Sequence, residues 1–256
     1  MITIISPAKI FRTLEKQEYK TYNPLKFHEE SVELIELLKR YTEPELAKLM
    51  KMSDELAKIN SERYKNFADI EEVNAYEALL YFYGEAYKGL EASTLDQPTL
   101  AYLHEHVCIL SGLYGVIQPL ECIKPYRLEM GTKFTNSVGK DLYAFWKDRL
   151  TTHMMKALER TTGDQILLNL ASDEYSKALQ LKIIQKQFPV IKVSFKEKKG
   201  DSYKVVGMYA KKARGLMVRY IGENRIDTIE AIKSFKEDGY ELNIEESSEE
   251  HFVFTR

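Results

Sequence analysis

Cysteine is scarce in this sequence, which has Cys108 and Cys122 as its only two thiols in 256 residues. Two cysteines cannot form the disulfide framework of a small secreted protein, and we expect both to be free, buried thiols.

The run Met1 to Ser6 is short and apolar and has neither a basic lead nor a cleavage-site pattern. It predicts neither a signal peptide nor a membrane span, so we expect a cytoplasmic protein.

Internal repeats and low-complexity linkers are also missing. The hydrophobic content of 44% and the charged content of 30% are typical of a globular chain, and 17 tyrosines are too many for a disordered one. A chain of this length can bury one large core. We predict a single compact domain over residues 1–256, with a monomer as the favoured state.

Helical and strand patterns are unevenly distributed along the chain. Residues 28–66 carry three amphipathic patterns with capping signals, which predict a helical N-terminal half. In the second half, strands are predicted at 165–172, 189–197, 203–210 and 251–255, and helices near 174–187, 211–222 and 228–237. The fold class is therefore α/β of the mixed α+β type, with a mixed sheet.

The small net charge of −2 conceals a strongly basic segment. Between Lys182 and Arg225 there are 12 lysines and arginines against 3 acidic residues, whereas the tail from Ile226 has 3 against 9. Part of the basic segment, KEKKGDS, predicts a hairpin with a basic tip. Concentrated positive charge indicates a polyanionic partner, nucleic acid or phosphate, although lysines on a solvated strand face explain it equally well.

The motif SPAK follows the first predicted strand. Ser6 and Lys9 have the Ser-x-x-Lys spacing in which an amine can lower the proton affinity of a hydroxyl. Pro7 suits the first position of a helix, so the same residues could contact an anion at a helix N-terminus or simply cap that helix.

The stretch LSGLYG has the pattern of a tight glycine turn between two helices. It is similar to the helix-hairpin-helix turn of DNA-binding proteins, in which backbone amides face a phosphate. Gly112, Tyr114 and Gly115 are the candidate contacts.

The motif KPYRLEMG places several polar side chains after a proline. Lys124, Tyr126 and Arg127 are candidate anion contacts, with Glu129 orienting the arginine. An arginine that only ties a loop together is the equal alternative.

Four polar residues end the apolar strand in NLASDEY. Asn169, Ser172, Asp173 and Glu174 fall at its carboxyl end, where open α/β sheets bind ligands. Helix capping would explain one of them but not all four, which favours a site.

Cations crowd the start of the predicted helix in YAKKARGLMVRY. Lys211, Lys212, Arg214 and Arg219 lie where the helix dipole disfavours positive charge. A bound anion would explain the placement, and a solvated helix face is the alternative.

The spacing His104-x-His106-x-Cys108 would align metal ligands on a strand, but the sequence before it reads as helix, which separates them. We predict no metal site and no cofactor.

Taken in chain order, five motifs resemble the YaaA family of bacterial peroxide stress proteins. They are ISPAK, LSGLYGVIQPLECIKPYRLEMG, GKDLYAFW, NLASDEYSKAL and YAKKARGLMVRYIGENR. The resemblance implies a cytosolic protein that helps cells survive hydrogen peroxide by limiting unincorporated iron. It also implies one mixed α/β fold with a positively charged cleft and a helix-hairpin-helix element that binds DNA. That hairpin would fall on residues 111–115, and the charges of the cleft on Lys9, Arg127, Lys211, Lys212 and Arg214.

Our leading hypothesis is a peroxide stress protein that binds DNA by phosphate contacts in a basic cleft. The alternative is an enzyme acting on a phosphorylated or nucleotide-like small molecule, with Lys9, Ser172, Asp173 and Glu174 as catalytic candidates. A third hypothesis, direct iron sequestration, requires carboxylate or imidazole ligands clustered in space. No motif by itself establishes an enzymatic activity.

Overall fold

The computed structural model describes residues 1–14, 25–67 and 75–256. Within these ranges the strands are β1 Ile2–Ile5, β2 Ile10–Phe11, β3 Tyr76–Glu77, β4 Phe82–Tyr83, β5 Val107–Ser111, β6 Gly115–Ile117, β7 Cys122–Ile123, β8 Leu167–Asn169, β9 Val190–Lys199, β10 Ser202–Lys204, β11 Glu241–Leu242 and β12 His251–Thr255. The α-helices are α1 His28–Leu38, α2 Glu43–Met50, α3 Asp54–Lys65, α4 Ala78–Tyr81, α5 Glu85–Leu90, α6 Gln97–His106, α7 Leu142–Arg160, α8 Asp173–Ser176, α9 Leu181–Ile184, α10 Gly207–Glu223 and α11 Ile229–Lys233. Two short 3₁₀ turns cover Ala92–Thr94 and Glu237–Gly239.

One mixed sheet forms the centre of the molecule, in the order β11-β12-β9-β8-β1-β5-β6, with β10 paired to β9. Its five central strands are parallel, and β6, β10 and β11 run antiparallel to their neighbours. Every residue of β1, β5 and β8 is buried. Such continuous apolar strands are typical of a parallel sheet covered on both faces. The predicted fold class, a mixed α/β domain, is confirmed.

The helical N-terminal half also follows the prediction. The capping box of Thr42 and Glu45 begins α2, and the Ser53 hydroxyl accepts a hydrogen bond from Leu56 N at the start of α3. The buried face of α7 includes Trp146, whose Nε1 donates to the Gly112 carbonyl at 2.9 Å. The helix therefore holds the turn that follows β5.

The strand order reverses beside β1. The chain passes from β1 to its neighbour β5 on one side, and from β8 to its neighbour β9 on the other. Crossovers that leave in opposite directions open a crevice between the two strands at their carboxyl ends, and this is where open α/β sheets bind ligands. The residues that follow β1 and β8 therefore face the same crevice.

Three local predictions were wrong. The segment predicted as helix-hairpin-helix is the β5–β6 hairpin, because the apolar run Val107–Ser111 pairs with β1 in the sheet. Residues 6–9 are not helical and instead connect β1 to β2. The predicted strand at 203–210 ends at Lys204, and α10 begins at Gly207. No helix in the described part of the chain is both long and apolar enough to cross a membrane.

Candidate functional site

Two serines meet in the crevice between β1 and β8. The Ser6 hydroxyl donates to Ser172 Oγ at 3.2 Å and accepts from Ser172 N at 2.9 Å. Ser172 is the N-cap residue of α8, but its side chain makes no capping hydrogen bond within the described chain. The Tyr87 hydroxyl donates to the Ser6 carbonyl at 3.1 Å and fixes this turn. Capping therefore does not account for Ser172, and two half-exposed hydroxyls line the crevice.

A carboxylate is flanked by two cations, one of which is Lys9, three residues after Ser6. Glu129 Oε1 is 2.8 Å from Lys9 Nζ and 2.7 Å from Arg127 Nε. The Tyr64 hydroxyl donates to the Arg127 carbonyl, and burial raises the pKa of that tyrosine far above its usual value. This buried tyrosine fixes the backbone of the arginine, whereas the Lys9 side chain is 59% exposed.

A second group of charges surrounds Asp173. Lys192 Nζ on β9 lies 3.0 Å from Asp173 Oδ1, and its hydrogen bond and charge lower the pKa of the carboxyl, with Lys177 and Arg214 adding to the effect. Burial lowers the pKa of the Arg214 guanidinium, and the charge of Asp173 opposes that shift. Arg214 Nε is buried without a hydrogen-bond partner among the described residues. The crevice therefore holds a cation whose hydrogen bonding is incomplete.

Glu174 has a positioning role in the structure. Its Oε1 accepts from Gly131 N at 3.0 Å, and its carbonyl accepts from the Tyr143 hydroxyl at 2.9 Å. The first contact connects the turn after β8 to the loop that carries Arg127, and the second connects it to α7. A groove of about 740 Å³ opens next to Glu129 and Glu174 and runs towards Lys48, Lys51 and Lys133. Its size is in the range of small-molecule sites.

The glycine turn after β5 is in the interior. Gly112, Tyr114 and Gly115 are all buried, and the Ser111 hydroxyl accepts from Leu113 N at 3.2 Å and Tyr114 N at 3.0 Å. The prediction that these amides face outward is wrong, because Leu113 and Tyr114 fill the core. A nucleic acid cannot reach them in this arrangement.

Tyr126 and Lys124 hold the same hairpin in place. The buried Tyr126 hydroxyl is hydrogen-bonded to Ser111 Oγ at 2.7 Å, and burial raises its pKa well above the usual value. The Tyr114 hydroxyl donates to the Lys124 carbonyl and accepts from Lys124 N, both at 3.2 Å. The contacts of Tyr126 and of the Lys124 backbone are structural ones.

The lysines of α10 diverge from one another. Lys212 Nζ lies 3.2 Å from Asp238 Oδ2, which also pairs with Arg256, and Lys211 is exposed three residues before Arg214. Because α10 begins at Gly207, these cations start in its second turn. The dipole argument from the helix start therefore does not apply to them.

His104 and His106 have separate partners, and Cys108 is a buried free thiol. His104 Nδ1 accepts from Leu120 N, and His106 Nδ1 is hydrogen-bonded to the Met1 carbonyl. Burial raises the pKa of Cys108 to about 12 and that of Cys122 to about 11. The residues that the structure describes contain no group of three or more His, Cys, Asp or Glu that could hold a metal ion.

Lys192 is a site residue that sequence reasoning missed. It lies in a strand with alternating lysines, which looks like a solvated face. The register that places Lys192 beside Asn169 brings it to Asp173. The signal available was its position near the start of a parallel strand adjacent to NLASDEY.

The fold and the crevice together define a class: a mixed α/β protein with a candidate anion site where the strand order reverses. A family model described as "Peroxide stress protein YaaA" matches residues 1–246, and the chain belongs to that family. This membership supports a role in the response to peroxide stress.

Curated relatives match the whole chain. A UPF0246 protein of Alteromonas mediterranea is 43% identical over 257 residues, covering 100% of this chain and 98% of its own. A UPF0246 protein of Azoarcus sp. and another of Legionella pneumophila are each 42% identical over 260 residues, covering 100% of this chain and 99% of theirs.

Proposed function

We propose that this chain is a cytoplasmic, monomeric peroxide stress protein that binds DNA phosphates in the crevice between β1 and β8 and limits damage from unincorporated iron. One observation carries the DNA proposal. Four separate segments contribute cations beside the strand ends, with Lys9 and Arg127 at Glu129 and Lys192 and Arg214 at Asp173. Each carboxylate faces two cations, which leaves positive charge for an anionic partner to meet.

The way these cations are paired supports reversible binding of an anion. Lys9 and Lys192 are each held by one carboxylate and remain about half exposed. Such surface pairs contribute little stability, so a phosphate can replace the carboxylate as partner at small cost. The incompletely bonded Arg214 would gain a charge-assisted hydrogen bond.

Salt-dependent DNA binding tests the proposal. The crevice variant, K9A/K192A/K211A, removes the two lysines that pair with Glu129 and Asp173 and the exposed Lys211, three residues before Arg214. The control, K156A/R160A/K186A, removes three exposed charges from the amino-terminal edge of the parallel strands, where Thr161 Oγ1 accepts from the Met1 amino group. Fluorescence anisotropy with duplex, junction and single-stranded DNA over a salt series should show a slope about 2.7 smaller for the crevice variant than for the control. Equal slopes for both variants would overturn the assignment.

The iron proposal rests on the family resemblance and is tested in cells. A strain lacking the protein should contain more unincorporated iron after peroxide, measured by electron paramagnetic resonance, and should survive less well. The wild-type gene should restore both, and the crevice variant should not. Full rescue by the crevice variant would show that the crevice lysines are not needed to limit unincorporated iron.

A second function, catalysis on a phosphorylated or nucleotide-like small molecule, is favoured by the two serines. Their hydroxyls meet at the strand-order reversal, beside Lys9, Asp173 and Glu174. Hydroxyls are suited to one phosphate and add little to a long polyanion. Incubation of the protein with a panel of nucleotides, followed by phosphorus NMR, should then show turnover that S172A abolishes. A panel left unchanged by the wild type would count against this function.

A further inference from the structure

The β9–β10 ribbon extends beyond the sheet and is highly exposed. Residues 198–209 run from the end of β9 through the tip and β10 into the first residues of α10. All of them but Tyr203 and Val206 are exposed. The pairing of Ser202 with Lys199 and of Lys204 with Glu197 defines a regular antiparallel ribbon. Gly200 has φ 61° at the first turn position, as a type II′ turn requires. The ribbon is an ordered arm.

Lysines project from both faces of this arm. Lys198 lies opposite Tyr203 on one face, whereas Lys199 and Lys204 lie on the other. Asp201 is the acidic residue at the tip, and Glu197 is already held by Arg256 at 3.0 Å and by the Tyr240 hydroxyl. The outer part of the arm is therefore strongly positive on both faces.

Two elements connect the arm to the crevice. Alternate residues of β9 carry Lys192, Lys196 and Lys198, and six residues of strand span about 20 Å. Lys196 pairs with Glu246 along this row. On α10, Lys211 and Arg214 are three residues apart and share a face. The positive surface thus extends from the crevice to the arm over about six base pairs of duplex, at about 3.4 Å each.

Apolar side chains lie at the base of the arm. Val205 is 60% exposed and Met208 is 55% exposed. Exposed apolar side chains beside a row of lysines suit a partner with charged edges and some apolar groups between them. The DNA major groove has this character, because its floor carries thymine methyl groups, beside the donors and acceptors of the bases, between two phosphate backbones.

We infer that the β9–β10 ribbon is a second DNA contact, which lies in the major groove of a duplex while the crevice holds a phosphate backbone. The inference rests on the DNA binding proposed above and adds the form of the partner and the element that grips it. A two-stranded ribbon fits the major groove, which is about 12 Å wide. Lys198, Lys199 and Lys204 would contact phosphates, and Val205 and Met208 would contact base edges.

The test compares four full-length variants on one fluorescent duplex. The ribbon variant is K198A/K199A/K204A, and the groove variant is V205S/M208S. The crevice variant and the charge-matched control K156A/R160A/K186A complete the set. Circular dichroism and thermal melting identify any variant that is misfolded, and the exposure of the changed side chains predicts that none is.

We expect the ribbon variant to bind about tenfold more weakly than the control at low salt, with a salt slope about 2.7 smaller than the wild type. The groove variant should bind about threefold more weakly with an unchanged slope, since its contacts are uncharged. A ribbon variant that behaves like the control, while the crevice variant loses binding, would overturn the inference alone. A wild type that binds single strands of equal length as tightly as the duplex, or full affinity in the groove variant, would also overturn it. If the wild type showed no salt-dependent DNA binding, both the proposed DNA binding and the inference about the ribbon would be overturned.

Discussion

Two turns leave the carboxyl edge of the sheet on either side of β1 and have opposite character. The turn after β5 is buried, and the Ser111 hydroxyl has its partners within the hairpin. The turn after β8 exposes Asp173 and leaves the Ser172 hydroxyl half exposed. Both contain the small and polar residues from which anion sites are built.

The side chains between the polar residues decide the difference. Leu113 and Tyr114 are large and fill the core, so they turn the amides of the first hairpin inward. Ser172 and Asp173 are small and polar, so the second turn stays at the surface of the crevice. A turn of small and polar residues is therefore a candidate site only when the residues within it do not fill the core.

The largest effect should come from Gly115→Ala in the buried turn. Gly115 has φ 69°, and an added Cβ would lie 2.6 Å from Trp146 Cζ3. Strain and overpacking together should lower the free energy of unfolding by more than about 3 kcal/mol, measured by chemical denaturation.

Gly200→Ala is the matched control for that substitution. Gly200 has a similar φ of 61°, but an added Cβ would meet no described atom within 4 Å. Its loss should be about 1 kcal/mol, from the backbone alone. Equal losses at the two glycines would contradict a packed interior around the first turn.

A pH titration of Glu121 should have the next largest effect. Burial raises the pKa of this carboxyl to about 7 from 4.5, although Gln118 N donates to it at 2.7 Å. Between these two values the folded state holds a proton that the unfolded state has lost, so stability should fall by about 3 kcal/mol as the pH rises through this window.

Glu121→Gln should abolish that dependence. The variant should match the wild type at pH 4.5 and exceed it above pH 7, as judged by denaturation midpoints. Asp173 at the crevice has the opposite sign, because Lys192 lowers its pKa. A wild type that gains stability between pH 5 and pH 7 would contradict the raised pKa of the buried Glu121 carboxyl.

Sequence reasoning predicted the parts of the fold that depend on local patterns. The three helices in residues 28–66 and the strand at 251–255 have capping or alternation signals that need no distant partner. The β5–β6 hairpin lacked such a signal, because four apolar residues after a helix, Val107 to Leu110, read equally well as more helix. Its pairing with β1 is a long-range contact that periodicity does not encode.

The candidate site was predicted in part for the same reason. SPAK, KPYR and NLASDEY each follow a strand or a proline, and the structure brings Ser6, Arg127 and Ser172 to one edge. Lys192 was missed because only the sheet register places it at Asp173. Lys212 was included because a linear motif does not show which way a helix faces.

Ser111→Ala and Ser172→Ala compare the two turns directly. Loss of the Ser111 hydroxyl leaves two buried amides and the Tyr126 hydroxyl without their partner, which should lower stability by about 2 kcal/mol. Ser172 is half exposed, so its loss should lower stability by less than about 1 kcal/mol. Thermal melting paired with anisotropy should show S111A altering stability alone. A larger stability loss for S172A would reverse the assignment of the two turns.

The smallest effect on stability should come from Arg214→Met, and it separates a ligand-binding arginine from a structural one. Because Arg214 Nε is buried without a hydrogen-bond partner among the described residues, an apolar side chain of similar length should leave stability within about 1 kcal/mol of the wild type. DNA affinity should fall about tenfold, since a charge-assisted phosphate contact is lost.

Arg219→Met on the same helix is the control, because Arg219 donates to the Leu90 carbonyl at 3.1 Å and to Thr94 Oγ1 at 2.7 Å. That variant should lose stability and keep its affinity. If Arg214→Met lost stability and kept its affinity as well, Arg214 would be a structural residue and the crevice would lack its buried cation.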